Sequence, residues 1–123
     1  GVPAVVGPSF SNRSKVELKN LSFITPGILA QKGVKVAIMT DHPVIPIQYL
    51  PVCAALAVRE GMKEEDALSA ITINAAEILG ISNRVGSLEK GKDADAVIWN
   101  GHPLDIKSKP SCVIIDGEIV YKS

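Results

Sequence analysis

The run Leu50 to Val58, LPVCAALAV, contains no charged residue and reads as part of a helix from about Tyr49 to Glu60 that is apolar on nearly every side. Such a helix has to be covered all round, because any exposed flank leaves apolar surface in water. A chain of 123 residues, with one further pair of helices after this one, has little material for that cover. The expectation is that a larger parent polypeptide supplies it. The opening of the sequence suggests the same, since Gly1 leads into strand-like residues without an initiator methionine or a polar lead-in. The run itself, interrupted by Pro51, is about half the length needed to cross a bilayer.

Composition narrows the partners. The 13 Lys and Arg balance 13 Asp and Glu, so neither nucleic acid nor an anionic membrane surface has an electrostatic footprint to meet. Only 4% of the residues are aromatic, too few for a platform that stacks bases. The hydrophobic fraction of 46% is ample for a packed core, and disorder is excluded on the same ground. Cys53 and Cys112 stand alone without C-x-x-C spacing and read as reduced core thiols, which fits a cytoplasmic protein. Residues 1–10 lack the basic n-region of a secretory signal.

The local pattern is α/β. Val2 to Val6 and Val34 to Met39 are short apolar runs, closed by Gly7-Pro8 and Thr40-Asp41, and read as buried strands. Between them, Thr25-Pro26 predicts an N-cap with proline at the first helical position, and Gly33 a stop. A strand, helix, strand unit of this kind predicts parallel pairing. The long connection from Gly7 to Phe23 carries Ser9, Ser11, Asn12, Arg13, Ser14 and Lys15, the composition of a functional loop. A helix from Lys63 to Thr72 and a shorter one, with Asn74 and Glu77 as a capping box and Gly80 at its end, follow. After Val85 the texture changes to a strand from Ala94 to Trp99 and a hairpin, Cys112 to Ile115 and Glu118 to Tyr121, around Asp116-Gly117. These three strands have no fourth partner.

Asp41 has the strongest physical rationale for chemistry. It follows a strand of a parallel sheet, and ligands gather at the carboxyl ends of such strands. A carboxylate there can bind a metal or move a proton, or it can simply accept backbone donors of the turn before Pro43. His42 could contact a substrate, ligate a metal or pack, and on an extended chain it would point away from Asp41. His102 reads as a solvated turn histidine. The loop Gly86 to Lys92 has P-loop spacing, but Asp93 stands where Ser or Thr is required and a strand follows where a helix should. The serines Ser9, Ser11 and Ser14 have no local histidine to activate them. Two histidines in different regions and one carboxylate do not make a metal site.

The succession VKVAIMTDHPVIPIQYLPVCAALAVREGM, ALSAITINAAEILGI, VGSLEKGKDADAVIWNGHPLD and VIIDGEIVY resembles the C-terminal part of a metal-dependent amidohydrolase, in the imidazolonepropionase-like branch. The resemblance implies the last two β/α units of a (β/α)8 TIM barrel in residues 1–84 and the C-terminal strands of a small β-sandwich in residues 85–123. It implies a hydrolase of C–N bonds in amides or cyclic amides. Asp41 would match the aspartate that binds the metal and shuttles the proton of the attacking water. His42, Ser9 and Arg13 would border the substrate. The cofactor would be a divalent metal, zinc or iron, with its remaining ligands outside these residues, so the segment alone would be inactive. The expected partners are a small-molecule amide or cyclic amide and a homo-oligomer or the remainder of the parent. The rivals are a catalytically silent α/β interaction module and a prolidase-like or deaminase member of the same superfamily.

Overall fold

The computed structural model describes residues 1–10 and 22–123. Strand β1 (Ala4–Val6) pairs in parallel with β2 (Val36–Ile38), Ala4 opposite Val36 and Val6 opposite Ile38. The ladder continues at both ends: Ala4 N–H donates to the Lys35 carbonyl at 2.9 Å and Met39 N–H to the Val6 carbonyl at 3.0 Å. Both strands are shorter than the apolar runs predict, and Val2, ahead of β1, is almost fully exposed. Every residue of β2 is buried, as expected for a strand covered on both faces.

Helix α1 (Ile24–Gln31) starts one residue before its expected cap. The N-cap is Phe23, which offers no side-chain cap, and Thr25 lies inside the first turn; the backbone N–H of Ile24 reaches the Ser22 hydroxyl at 3.3 Å. Pro26 then falls in the first turn, where its missing N–H has no intrahelical partner to lose. Gly27 beside it lies against Met62, whose backbone nitrogen would be 3.1 Å from any Cβ. The helix ends as expected, with Gly33 at a φ of 76° and Val34 N–H bonded to the Leu29 carbonyl at 3.0 Å.

A 3-10 turn (Ile47–Tyr49) leads into α2 (Leu50–Arg59), followed by α3 (Glu64–Ala70) and α4 (Ile73–Ile78). The inner surfaces of α2 and α3 are built from Cys53, Ala54, Ala57, Ala67 and Ala70, all essentially without exposure. Small side chains let both helices close tightly on Ile38 and Ile45, where bulkier ones would hold them off. Asn74 does not cap α4. It sits inside the helix, and its amide donates to the Val36 carbonyl at 2.9 Å, while Glu77 pairs with Lys35. Tertiary partners on β2 and just before it displace the local capping box that the spacing predicts.

The second sheet is antiparallel, in the order β3 (Ala96–Trp99), β4 (Pro110–Ile115), β5 (Glu118–Lys122). Asp116 and Gly117 have φ angles of 51° and 80°, the left-handed pair required by a two-residue hairpin turn. Asp116 N–H also donates to the Asp95 carboxylate at 2.9 Å, tying the turn to the start of β3. The outer flank of α2 does not contact this sheet closely. Leu50, Val52 and Leu56 face Val97, Trp99 and Val113 across an apolar cleft of about 1240 Å³, so the shortage of cover appears as a gap. No helix among the described residues is long and apolar enough to cross a membrane.

Two outcomes test this packing. Replacing Asn74 by Ala should lower the unfolding free energy by about 1–3 kcal/mol in urea titration, because a carbonyl of the buried strand loses its partner. Burial pushes the Cys53 thiol above its ordinary value, against a smaller opposing backbone hydrogen bond, whereas Cys112 is half-buried. At pH 8 iodoacetamide should therefore modify Cys112 first and reach Cys53 only on unfolding, as read by peptide mass spectrometry.

Candidate functional site

The chain leaves β2 through Met39 and the buried Thr40, then turns sharply at Asp41, whose φ is 54°. Aspartate tolerates this left-handed geometry better than most residues. The turn is closed by its backbone: Val44 N–H donates to the Asp41 carbonyl at 2.8 Å and Ile45 N–H to the Thr40 carbonyl at 3.3 Å. Ile45 then enters the core at 5% exposure, while residues 41–44 stay exposed. Among the described residues the Asp41 carboxylate has neither a hydrogen-bond partner nor an ion pair. The reading in which that carboxylate serves only to accept donors of its own turn loses its basis, because the backbone carbonyl does that work.

His42 is also exposed and joins Pro43 through a cis peptide bond. The alternation expected for an extended segment does not apply to Asp41 and His42, since a left-handed residue breaks it. Ser9 is half-buried and lies three positions beyond the last residue of β1. Parallel pairing of β1 with β2 sends the loop bearing Ser9 and the turn bearing Asp41 out of the same end of the sheet. Arg13 lies outside the described residues. At this end Gly7, in sequence no more than a strand stop, lies against Met39. A Gly-Pro pair closing an apolar run is its signal, but the run does not show which backbone comes close.

No cluster of three or more His, Cys, Asp or Glu side chains that could hold a metal exists among the described residues. A zinc centre takes about three protein ligands and keeps a position for water. Asp41 fits such a centre as one oxygen donor, with the others necessarily elsewhere. His102 belongs to a different region; its Nδ1 accepts the Leu104 N–H at 3.3 Å and lies 3.6 Å from Glu64.

The loop Gly86 to Lys92 is bound up in itself. Ser87 donates to Glu89 at 2.6 Å, and Lys92 donates to Ser87 at 2.5 Å and to Glu89 at 3.2 Å. The lysine that a phosphate-binding loop would extend toward its ligand is occupied, and a strand follows it. Gly86, at a φ of 94°, presses against α4, where a Cβ would meet Ala76 at 2.7 Å.

Residues 19–120 match the Amidohydrolase family, and the chain belongs to it. A solved amidohydrolase of Thermotoga maritima superposes with a TM-score of 0.94 at 51% identity, over 99% of this chain and 32% of that one. The imidazolonepropionase of Geobacillus kaustophilus is 47% identical over 75 residues, which is 58% of this chain and 18% of that protein. A solved Xaa-Pro dipeptidase with bound methionine in its active site superposes with a TM-score of 0.70 at 31% identity, over 82% of this chain and 25% of that one. The chain thus spans a third or less of the length of each of these relatives.

The Ser87 hydroxyl first, and then Lys92, holds the Glu89 carboxyl below its ordinary value of 4.5. The depressed value favours the folded loop above that pH, and the contribution is lost as the pH falls through the folded value. Amide protection at Lys92 should therefore decline below pH 4.5 in hydrogen exchange, and Glu89→Gln should remove the pH dependence.

Proposed function

We propose that this segment is the C-terminal part of a hydrolase that cleaves C–N bonds of amides or cyclic amides, in the manner of the imidazolonepropionases. Residues 1–84 would contribute the last two β/α units of a (β/α)8 barrel and residues 85–123 the C-terminal strands of a β-sandwich. The observation that carries the reading is the Asp41 carboxylate, exposed and without a partner among the described residues, at the carboxyl end of a fully buried parallel strand. The membership of the chain in the amidohydrolase family supports it.

In this reading a divalent metal, zinc or iron, would supply the positive charge that makes a water acidic and polarises a carbonyl. Asp41 would be one of its ligands, with the others outside the described residues. A carboxylate oxygen of Asp41 accepts the proton of the attacking water, then returns it to the leaving nitrogen. The left-handed turn keeps that oxygen at the strand end while Thr40 and Ile45 remain buried on either side. The turn after Asp41 and the loop after β1 border the substrate, so His42, Ser9 and Arg13 are the residues assigned to binding it. The free thiols of Cys53 and Cys112 support a reducing, cytoplasmic setting. The partners are a small-molecule substrate and a homo-oligomer or the rest of the parent, with neither nucleic acid nor membrane. The likeness to an Xaa-Pro dipeptidase favours a second reading in which the scissile bond is a peptide bond before proline.

Replacing Asp41 by Asn in the polypeptide that carries this segment should lower kcat by about 10²- to 10⁴-fold while leaving the far-UV circular dichroism unchanged. Imidazolonepropionate and an Xaa-Pro dipeptide, assayed side by side, separate the two substrate readings. Turnover of either at the unsubstituted rate by the Asn variant would remove Asp41 from the mechanism.

A further inference from the structure

We propose that Gly7 is a positioning residue for the Asp41 turn: the bare backbone at the end of β1 receives the Met39 carbonyl and so sets the direction in which the chain leaves β2. The inference rests on the reading of Asp41 given above and concerns how that carboxylate is held.

The cross-strand ladder ends with Met39 N–H bonded to the Val6 carbonyl at 3.0 Å. Gly7, the next residue of the neighbouring strand, has a φ of 145°. A Cβ built there would overlap the Met39 carbonyl oxygen and lie 3.1 Å from both the carbonyl carbon and Cγ of Met39. The backbone of Met39 is therefore tied to β1 by the hydrogen bond of its N–H, while its carbonyl occupies the space that a side chain on Gly7 would fill. Two residues later comes Asp41. Downstream, the turn is anchored by Ile45 N–H on the Thr40 carbonyl and by the burial of Ile45 itself.

With both anchors in place, the exposed residues 41–44 have little freedom to choose another direction. A methyl group on Gly7 must displace the Met39 carbonyl, a backbone atom that cannot swing aside as a long side chain can. Thr40 is 2% exposed, so the displacement has no loose segment to absorb it before Asp41. Gly33 provides the matched control. It lies at the other end of β2 with a φ of 76°, and a Cβ there would meet nothing within 4 Å. Alanine at Gly33 carries backbone strain without the collision.

The test uses the polypeptide that carries this segment, loaded with Co²⁺ as a spectroscopic probe, in four variants: Gly7→Ala, Gly33→Ala, Met39→Gly and Asp41→Asn. Gly7→Ala and Gly33→Ala should both melt at lower temperature. Only Gly7→Ala should also speed Met39 amide exchange by about 10-fold or more, shift the visible Co²⁺ band toward that of Asp41→Asn, and lower kcat by about 100-fold with KM nearly unchanged. Met39→Gly leaves Gly7 in place but gives the same backbone the wider conformational choice of glycine, and it should shift the band in the same direction; it decides the matter if Gly7→Ala does not fold. A Co²⁺ band unmoved in Gly7→Ala, or moved equally in Gly33→Ala, overturns the positioning role while Asp41→Asn still reports on Asp41. An Asp41→Asn variant with native band and turnover overturns the reading of Asp41 and this inference with it.

Discussion

Burial of β2 is the constraint on which the rest of the structure depends. Val36, Ala37 and Ile38 are enclosed on every side, and their peptide groups must therefore find partners inside the protein. β1 supplies them along one edge, and Asn74, from a helix nearly forty residues further on, reaches the Val36 carbonyl. Each fully buried Val or Ile side chain is worth about 1.5–3 kcal/mol, but only if the backbone that carries it is not left unsatisfied. The alanines of α2 and α3 make the enclosure complete by allowing those helices to settle close to the strand.

The geometry at the carboxyl end of the sheet follows from that enclosure. A strand locked in register delivers its next residues to a fixed place, and here they are Met39, Thr40 and Asp41. The interior holds Thr40 and Ile45, so the chain between them can only bulge outward. An exposed carboxylate on a short turn between two buried anchors is well placed for chemistry. The same side chain on a long loop would spend its time in many orientations, at a cost to any transition state it had to meet.

Much of the fold was legible in the sequence because it arises from local rules. Apolar runs closed by Gly-Pro and Thr-Asp marked the two parallel strands, and Asp116-Gly117 marked its hairpin because few dipeptides accept two left-handed residues in succession. The limits were equally physical. Asn74 and Glu77 carry the spacing of a capping box, yet β2 and Lys35 claim both side chains, and spacing along a chain carries no information about a competitor from another element. Thr25 lost its capping role for a smaller reason, since starting the helix from an N-cap at Phe23, two residues earlier, still leaves Pro26 in the first turn. The alternation argument for Asp41 and His42 failed because a left-handed φ at an aspartate is a choice the surrounding turn makes.

The sequence by itself determined the elements, the parallel and antiparallel pairings and the position of Asp41 at a strand end, since hydrophobic periodicity, turn chemistry and charge are properties of neighbouring residues. Tertiary structure alone decided that the Asp41 carboxylate has no partner among the described residues, that Gly7 abuts Met39, and that α2 faces the second sheet across an apolar cleft. Those are distances between residues remote in sequence or between backbone and side chain in a folded turn. They exist only once the strands are in register and the interior has been filled.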